Sequence, residues 1–182
     1  GLKDSVRPPV YLRATPLTEA DKRIEDLAGG VSGRSVLERM HGLMAAVRDA
    51  VDYKSASTTT HTTAAQALKL GTGVCQDHAH IFIAAARLMR VPARYVVGYL
   101  LAQEEKLTET HAWAEAYLPD IGWVGFDPAN RVCPTDHYVR LCCGVDSADA
   151  APIRGGVSGS PRERLSASVD ISQTQSQTQT QQ

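Results

Sequence analysis

The chain has 182 residues, 43% hydrophobic and 21% charged, with a formal net charge of −1, ordinary values for a globular domain long enough to bury a core. Its 19 Lys and Arg are scattered along the chain, which excludes the concentrated basic face that nucleic-acid binding requires. No apolar run approaches the roughly 20 residues of a membrane helix.

No signal-peptide pattern opens the chain, which starts at Gly1 rather than Met, so the native start is expected upstream. The four cysteines are Cys75, Cys133, Cys142 and Cys143. They are too few, and the last two too close, for a disulfide framework, so reduced thiols and a cytoplasmic setting are expected.

Residues 1–17 carry three prolines and no helical period, predicting an extended lead-in. In TEADKRIEDLAGG, Thr18 is a candidate N-cap and Gly29-Gly30 a stop, giving a short helix. SVLERMHGLMAAVRDAV repeats Val36, Met40, Leu43, Met44, Val47 and Val51 at helical spacing, an amphipathic helix with one core-facing stripe. Thr63 followed by Gln66 has capping-box spacing and starts another short helix, which delivers the chain to the turn at GTGVC. Cys75 then opens an apolar helix in which Ala84 to Ala86 permit tight packing.

Beyond it the period changes from 3.6 to 2. VPARYVVGYLL, HAWAEAYL, GWVGFDP, YVRLCCGVD and RLSASVDIS read as strands, the second and third joined by a four-to-five-residue turn around Pro119-Asp120. DAAPIRGGVSGS reads as a loop, and QTQSQTQTQQ as a disordered tail at 173–182. Helices first and antiparallel strands afterwards predict an α+β domain over 18–172, the Cys75 helix packed on an antiparallel sheet.

A cysteine in the first turn of a helix meets backbone N–H groups that lack intrahelical partners, and their partial positive charge favours thiolate over thiol. A nucleophile also needs a base. His41 and His61 read as solvated or structural. His78 and His80 share the helix with Cys75 and do not converge on it. His111 opens a strand whose alternation puts His111, Trp113, Glu115 and Tyr117 on one face, and Ala112, Ala114, Ala116 and Leu118 on the other. If the hairpin turns near 119–120, Asp127 pairs with or lies diagonal to His111, within hydrogen-bonding reach. Cys75, His111 and Asp127 are therefore the candidate nucleophile, base and orienter.

TTAAQALKLGTGVCQDHAHIFIAAARLMRVPARYVVGYL and then THAWAEAYLPDIGWVGFDPAN resemble the bacterial transglutaminase-like superfamily, with a papain-like core and with cysteine peptidases and amidases among its relatives. The resemblance covers about residues 53–172, and DSADAAPIRGGVSG resembles the family's closing loop. It implies the same three catalytic residues, Cys75, His111 and Asp127. Family members often carry a preceding β-sandwich domain, for which a lead-in of residues 1–17 is too short.

The expected chemistry is cysteine-dependent acyl transfer on an amide, most simply hydrolysis by an amidase or peptidase, with no metal or organic cofactor. The alternatives are transglutamination to an amine, or a non-catalytic binding module on the same fold. The partner is a peptide or other amide-containing substrate, with no nucleic acid and no membrane. Gln76, beside the nucleophile, is a candidate substrate contact. Trp113 and Trp123 either line an acyl-binding cleft or cap the hairpin. A zinc site at Cys75, His78 and His80, or at Cys133 and His137, is disfavoured because the ligands do not converge. Asp77 is expected to turn away from the sulfur, with Arg94 as its ion-pair partner.

Overall fold

The computed structural model describes residues 6–101 and 108–152. The predicted strand over RLSASVDIS, the glutamine-rich tail and most of the closing loop lie outside those residues. Part of the lead-in is not extended: Pro8–Leu12 forms a 3-10 turn, nucleated by two prolines at its first positions. The first helix, α1 (Lys22–Gly29), is capped by Asp21, whose carboxylate accepts from the N–H groups of Arg23 and Ile24 at 3.0 and 3.1 Å. Thr18, the expected cap, is instead buried and gives its hydroxyl oxygen to the Arg87 guanidinium at 2.7 Å. A long-range partner has overridden its local capping preference.

Helix α2 (Val36–Ala50) starts at Ser35, which caps the Glu38 N–H, and it buries Met40, Leu43, Met44 and Val47 as one stripe. Strand β1 (Asp52–Tyr53) follows. Helix α3 (Ala64–Leu70) has the reciprocal Thr63–Gln66 capping box and ends at Gly71, which takes the left-handed conformation with φ 69°. Strand β2 (Thr72–Gly73) lies parallel to β1, a short bridge that the sequence pattern does not signal. It tethers the chain just before α4 (Cys75–Leu88).

The main sheet contains β3 (Ala93–Leu101), β4 (Thr108–Leu118), β5 (Gly122–Phe126) and β6 (Tyr138–Gly144). All pairs are antiparallel and the order is β5-β4-β3-β6. Leu118 pairs with Gly122, so the β4–β5 turn holds three residues, shorter than expected. Ala112, Ala114 and Ala116 join the core beneath α4, where Ile81, Phe82, Ile83 and Ala84 to Ala86 are buried against them. The small-residue face lets helix and sheet approach closely.

Gly98 occupies a bulge between β3 and β6. A Cβ there would stand 2.0 Å from the Val139 carbonyl oxygen and 2.8 Å from the Trp113 ring. Gly98→Ala is expected to cost at least about 1–3 kcal/mol through overpacking and to shift Trp113. Urea denaturation checks this, and an unchanged midpoint would contradict it.

Candidate active site

The approach to Cys75 is shaped by Gly73 and Asp77. A Cβ on Gly73 would stand 2.7 Å from that of Asp77, so glycine leaves room for the Asp77 carboxylate to fold back over the helix start. Its Oδ2 accepts from the Val74 N–H at 2.8 Å and from the Thr58 hydroxyl at 2.6 Å. The expected Asp77–Arg94 pair does not form. Arg94 alternates to the opposite sheet face from Ala93 and Tyr95, which meet α4, and it pairs there with Glu115 at 2.6 Å. Its guanidinium also lies 4.0 Å from the centre of the Trp123 ring. Trp123 therefore belongs to this cationic stack, which also includes Tyr11 and Tyr117.

Val74, the N-cap, has no polar side chain, and its carbonyl accepts from the N–H groups of Asp77 and His78. The Cys75 and Gln76 N–H groups at the helix tip have no acceptor among the described residues. Cys75 itself is partly buried against the edge of the core.

His78 is fully buried with both ring nitrogens at carbonyl oxygens, 2.9 Å from that of Val74 and 3.0 Å from that of Val51. His80 Nε2 accepts from the Ser147 N–H at 3.1 Å, and burial pulls the ring pKa down to about 4. Both rings serve the backbone, His78 through both nitrogens and His80 through Nε2 alone, while His80 Nδ1 is buried without a hydrogen-bond partner among the described residues. His41 and His61 are exposed.

His111 stands at a different point of the site. Ala114 pairs with Phe126 and Glu115 with Gly125; continued, that register sets Asp127 one step diagonal to His111. The two side chains meet at 2.6 Å, His111 Nε2 to Asp127 Oδ2. Asn130 Nδ2 also approaches Nε2, at 3.5 Å, so Nδ1 is the nitrogen without a partner among the described residues, and Cys75 lies near enough to the ring to favour its charge. Burial opposes the charged imidazole, but the bond to Asp127 and then the contact with Cys75 outweigh it and hold the pKa up at about 9. Burial likewise works against the Asp127 carboxylate. The bond to His111, then those to Tyr138 and Asn130, nevertheless bring it below the usual aspartate value.

Two members of this network were not signalled by the sequence pattern. The Tyr138 hydroxyl and the Asn130 amide both donate to Asp127 Oδ2, each at 2.8 Å. Asn130 sits three residues after Asp127 in a loop closed by the Asp127–Val132 bridge, a spacing at which a turn asparagine points back at its aspartate. Tyr138 comes from β6, across the sheet, and only the strand order brings it near.

Trp113 departs from its expected role. It is 2% exposed, stacked at 6.3 Å on His111 and edge-on at 5.4 Å to Tyr138. It supports the imidazole from beneath and leaves no open face for substrate. Gln76 is half-buried and lines an open cavity.

A helix begun by cysteine, laid on an antiparallel sheet that carries an imidazole–carboxylate pair, is the layout of the papain/transglutaminase-like class of α+β domains. Residues 24–128 match the family model of the Transglutaminase-like superfamily, and the chain belongs to that superfamily.

An uncharacterized protein of Mycobacterium leprae (strain TN) is 35% identical over 130 residues, 68% of this chain and 46% of the relative. One from Mycobacterium tuberculosis (strain ATCC 25618 / H37Rv) is 32% identical over 150 residues, 76% of this chain and 48% of the relative. The chain thus spans about half the length of the curated relatives it matches.

Among solved structures, a "Putative Cysteine Protease" from Cytophaga hutchinsonii superposes with TM-score 0.66 at 32% identity, over 78% of this chain and 48% of that one. The periplasmic domain of TgpA from Pseudomonas aeruginosa shares the fold, with TM-score 0.53 at 22% identity over 70% of this chain and 51% of that one. The family and the Cytophaga structure together support cysteine-dependent acyl transfer as the general chemistry.

Proposed function

We propose that this domain is a cysteine-dependent amide hydrolase in which Cys75 is the nucleophile, His111 the proton carrier and Asp127 the orienter. The observation that carries the proposal is the 2.6 Å bond between His111 Nε2 and Asp127 Oδ2, on a ring whose charge the nearby Cys75 also favours. Cys75 Sγ attacks the amide carbonyl carbon, and its proton resides on His111 Nδ1. The carbonyl oxygen takes the negative charge and faces the Cys75 N–H, one of the unclaimed donors at the helix tip.

As the C–N bond breaks, His111 passes its proton to the departing amine and a thioester remains. Water then attacks the thioester and gives one proton to His111. The carboxylic acid departs, and the sulfur regains its starting state. An amine in place of water would yield a new amide by the same steps. Hydrolysis is favoured because it needs no second substrate site.

Iodoacetamide labelling followed by mass spectrometry tests the assignment, with the Cys75→Ala protein as the blank. At pH 6, Cys75 is expected to react at least about tenfold faster than Cys133, Cys142 and Cys143, as an activated thiolate does. Equal rates at all four cysteines would remove Cys75 as the nucleophile.

A further inference from the structure

Gln76 leads to a cavity of about 500 Å³ beside the helix tip, within the size range of ligand sites. The 146–151 segment forms one wall and is pinned to α4 by the Ser147–His80 bond. Gln76 follows Cys75 in the first turn of α4, so the cavity and the sulfur adjoin the same helix tip.

Three polar groups facing the cavity are not spent on the fold. The Gln76 amide, the Thr60 hydroxyl and the Ser147 hydroxyl have no hydrogen-bond partner among the described residues. Leu17 and Ala148 add apolar surface. Asp146 is 7% exposed, accepts from the Asp149 N–H at 2.8 Å, and lies near the buried Arg87, which offsets its charge. The exposed His61 lines the space as well, and no lysine or arginine does.

A carboxamide and two hydroxyls both donate and accept, as a peptide unit does, while the apolar wall suits an uncharged side chain. We infer that this cavity is a substrate subsite that holds an uncharged peptide segment adjoining the amide attacked by Cys75. The inference rests on Cys75 being the nucleophile, and it narrows the substrate class from amides in general to peptides.

The test uses acetyl-alanyl-leucyl chloromethyl ketone against iodoacetamide, both read as second-order rates of alkylation at Cys75 by mass spectrometry. Ala148→Trp fills the cavity, and Gln76→Ala removes its amide. In each, the ratio of peptidyl to iodoacetamide rate is expected to fall at least about tenfold, the loss typical of one disrupted specificity contact. Because Ala148 is exposed, the tryptophan has room to fold, and the Gln76 variant gives the same reading without added bulk. Rapid iodoacetamide labelling with an unchanged ratio in both variants would overturn the subsite and leave the nucleophile intact. Slow iodoacetamide labelling of the unaltered protein would overturn both.

Discussion

Asparagine in place of Asp127 is expected to lower turnover by about ten-thousandfold, the scale seen when the orienting carboxylate of a comparable triad becomes an amide. The cause is specific to this network. Asp127 Oδ2 receives His111 Nε2 at 2.6 Å together with the Tyr138 hydroxyl and the Asn130 amide. An amide side chain can present its NH2 group to the ring, which reverses the tautomer and turns the wrong nitrogen toward Cys75.

The pH dependence gives a second readout. His111 in the folded protein titrates at about 9, against an ordinary value of 6.5. Its raised pKa contributes stability that is fully present below pH 6.5 and lost as the pH rises from there to about 9. The proton owed to the leaving amine is lost over the same upper range, so activity should fall on an alkaline limb near pH 9. In Asp127→Asn that limb should move down toward neutrality, because its main raising cause is gone. Asp127, with its lowered pKa, contributes stability above pH 3.8 that is lost as the pH falls further. A pH–rate profile of both proteins decides the matter. An alkaline limb that stays in place in the asparagine variant would mean that Asp127 does not set the charge of His111.

The second large effect is on stability. Arg87, on α4, is buried and donates to four acceptors from distant parts of the chain: the carbonyls of Tyr11, Ala93 and Val145, and the Thr18 hydroxyl. Burial lowers its pKa only to about 10, so it stays charged at neutral pH. Asp146 lies near enough to support that charge. Arg87→Met keeps the bulk but strands these oxygens and the Asp146 carboxylate. The expected loss is about 3–5 kcal/mol, or roughly 6–20 °C in Tm for a domain of this size. Scanning calorimetry measures it, and a shift below about 2 °C would show that water replaces the guanidinium at no cost.

Much of this architecture could be read from short-range pattern. The α2 stripe, the Thr63–Gln66 box, the helix opened by Cys75 and the alternation of β4 are all properties of neighbouring residues, and periodicity reports those directly. The His111–Asp127 pairing was also within reach, because a short hairpin carries its register in its turn, and the three-residue turn sets Asp127 opposite Trp113, on the face of His111.

What escaped depends on distant partners. Thr18 had every local mark of a cap, yet it was taken by an arginine 69 residues away. The Asp77–Arg94 pairing failed because strand alternation sent Arg94 through the sheet. Tyr138 depended on β6 lying beside β3, which no local signal announces. Trp113 shared a face with His111 as expected, but whether that face was open or covered was decided by Tyr138 of β6.

The bare methyl groups of Ala112, Ala114 and Ala116 beneath α4 have a consequence for engineering. They act as a shim of minimum thickness. Any larger side chain there would prop the helix away from the sheet, and a tilt at its middle is magnified at its tip, where the sulfur sits. Valine at Ala114 would thus be a tool for detuning the thiol–imidazole gap without touching a polar atom. For the same reason, a campaign that raises melting temperature by enlarging core residues should leave this stripe alone, because added bulk there overpacks the helix–sheet contact and costs stability as well as reactivity.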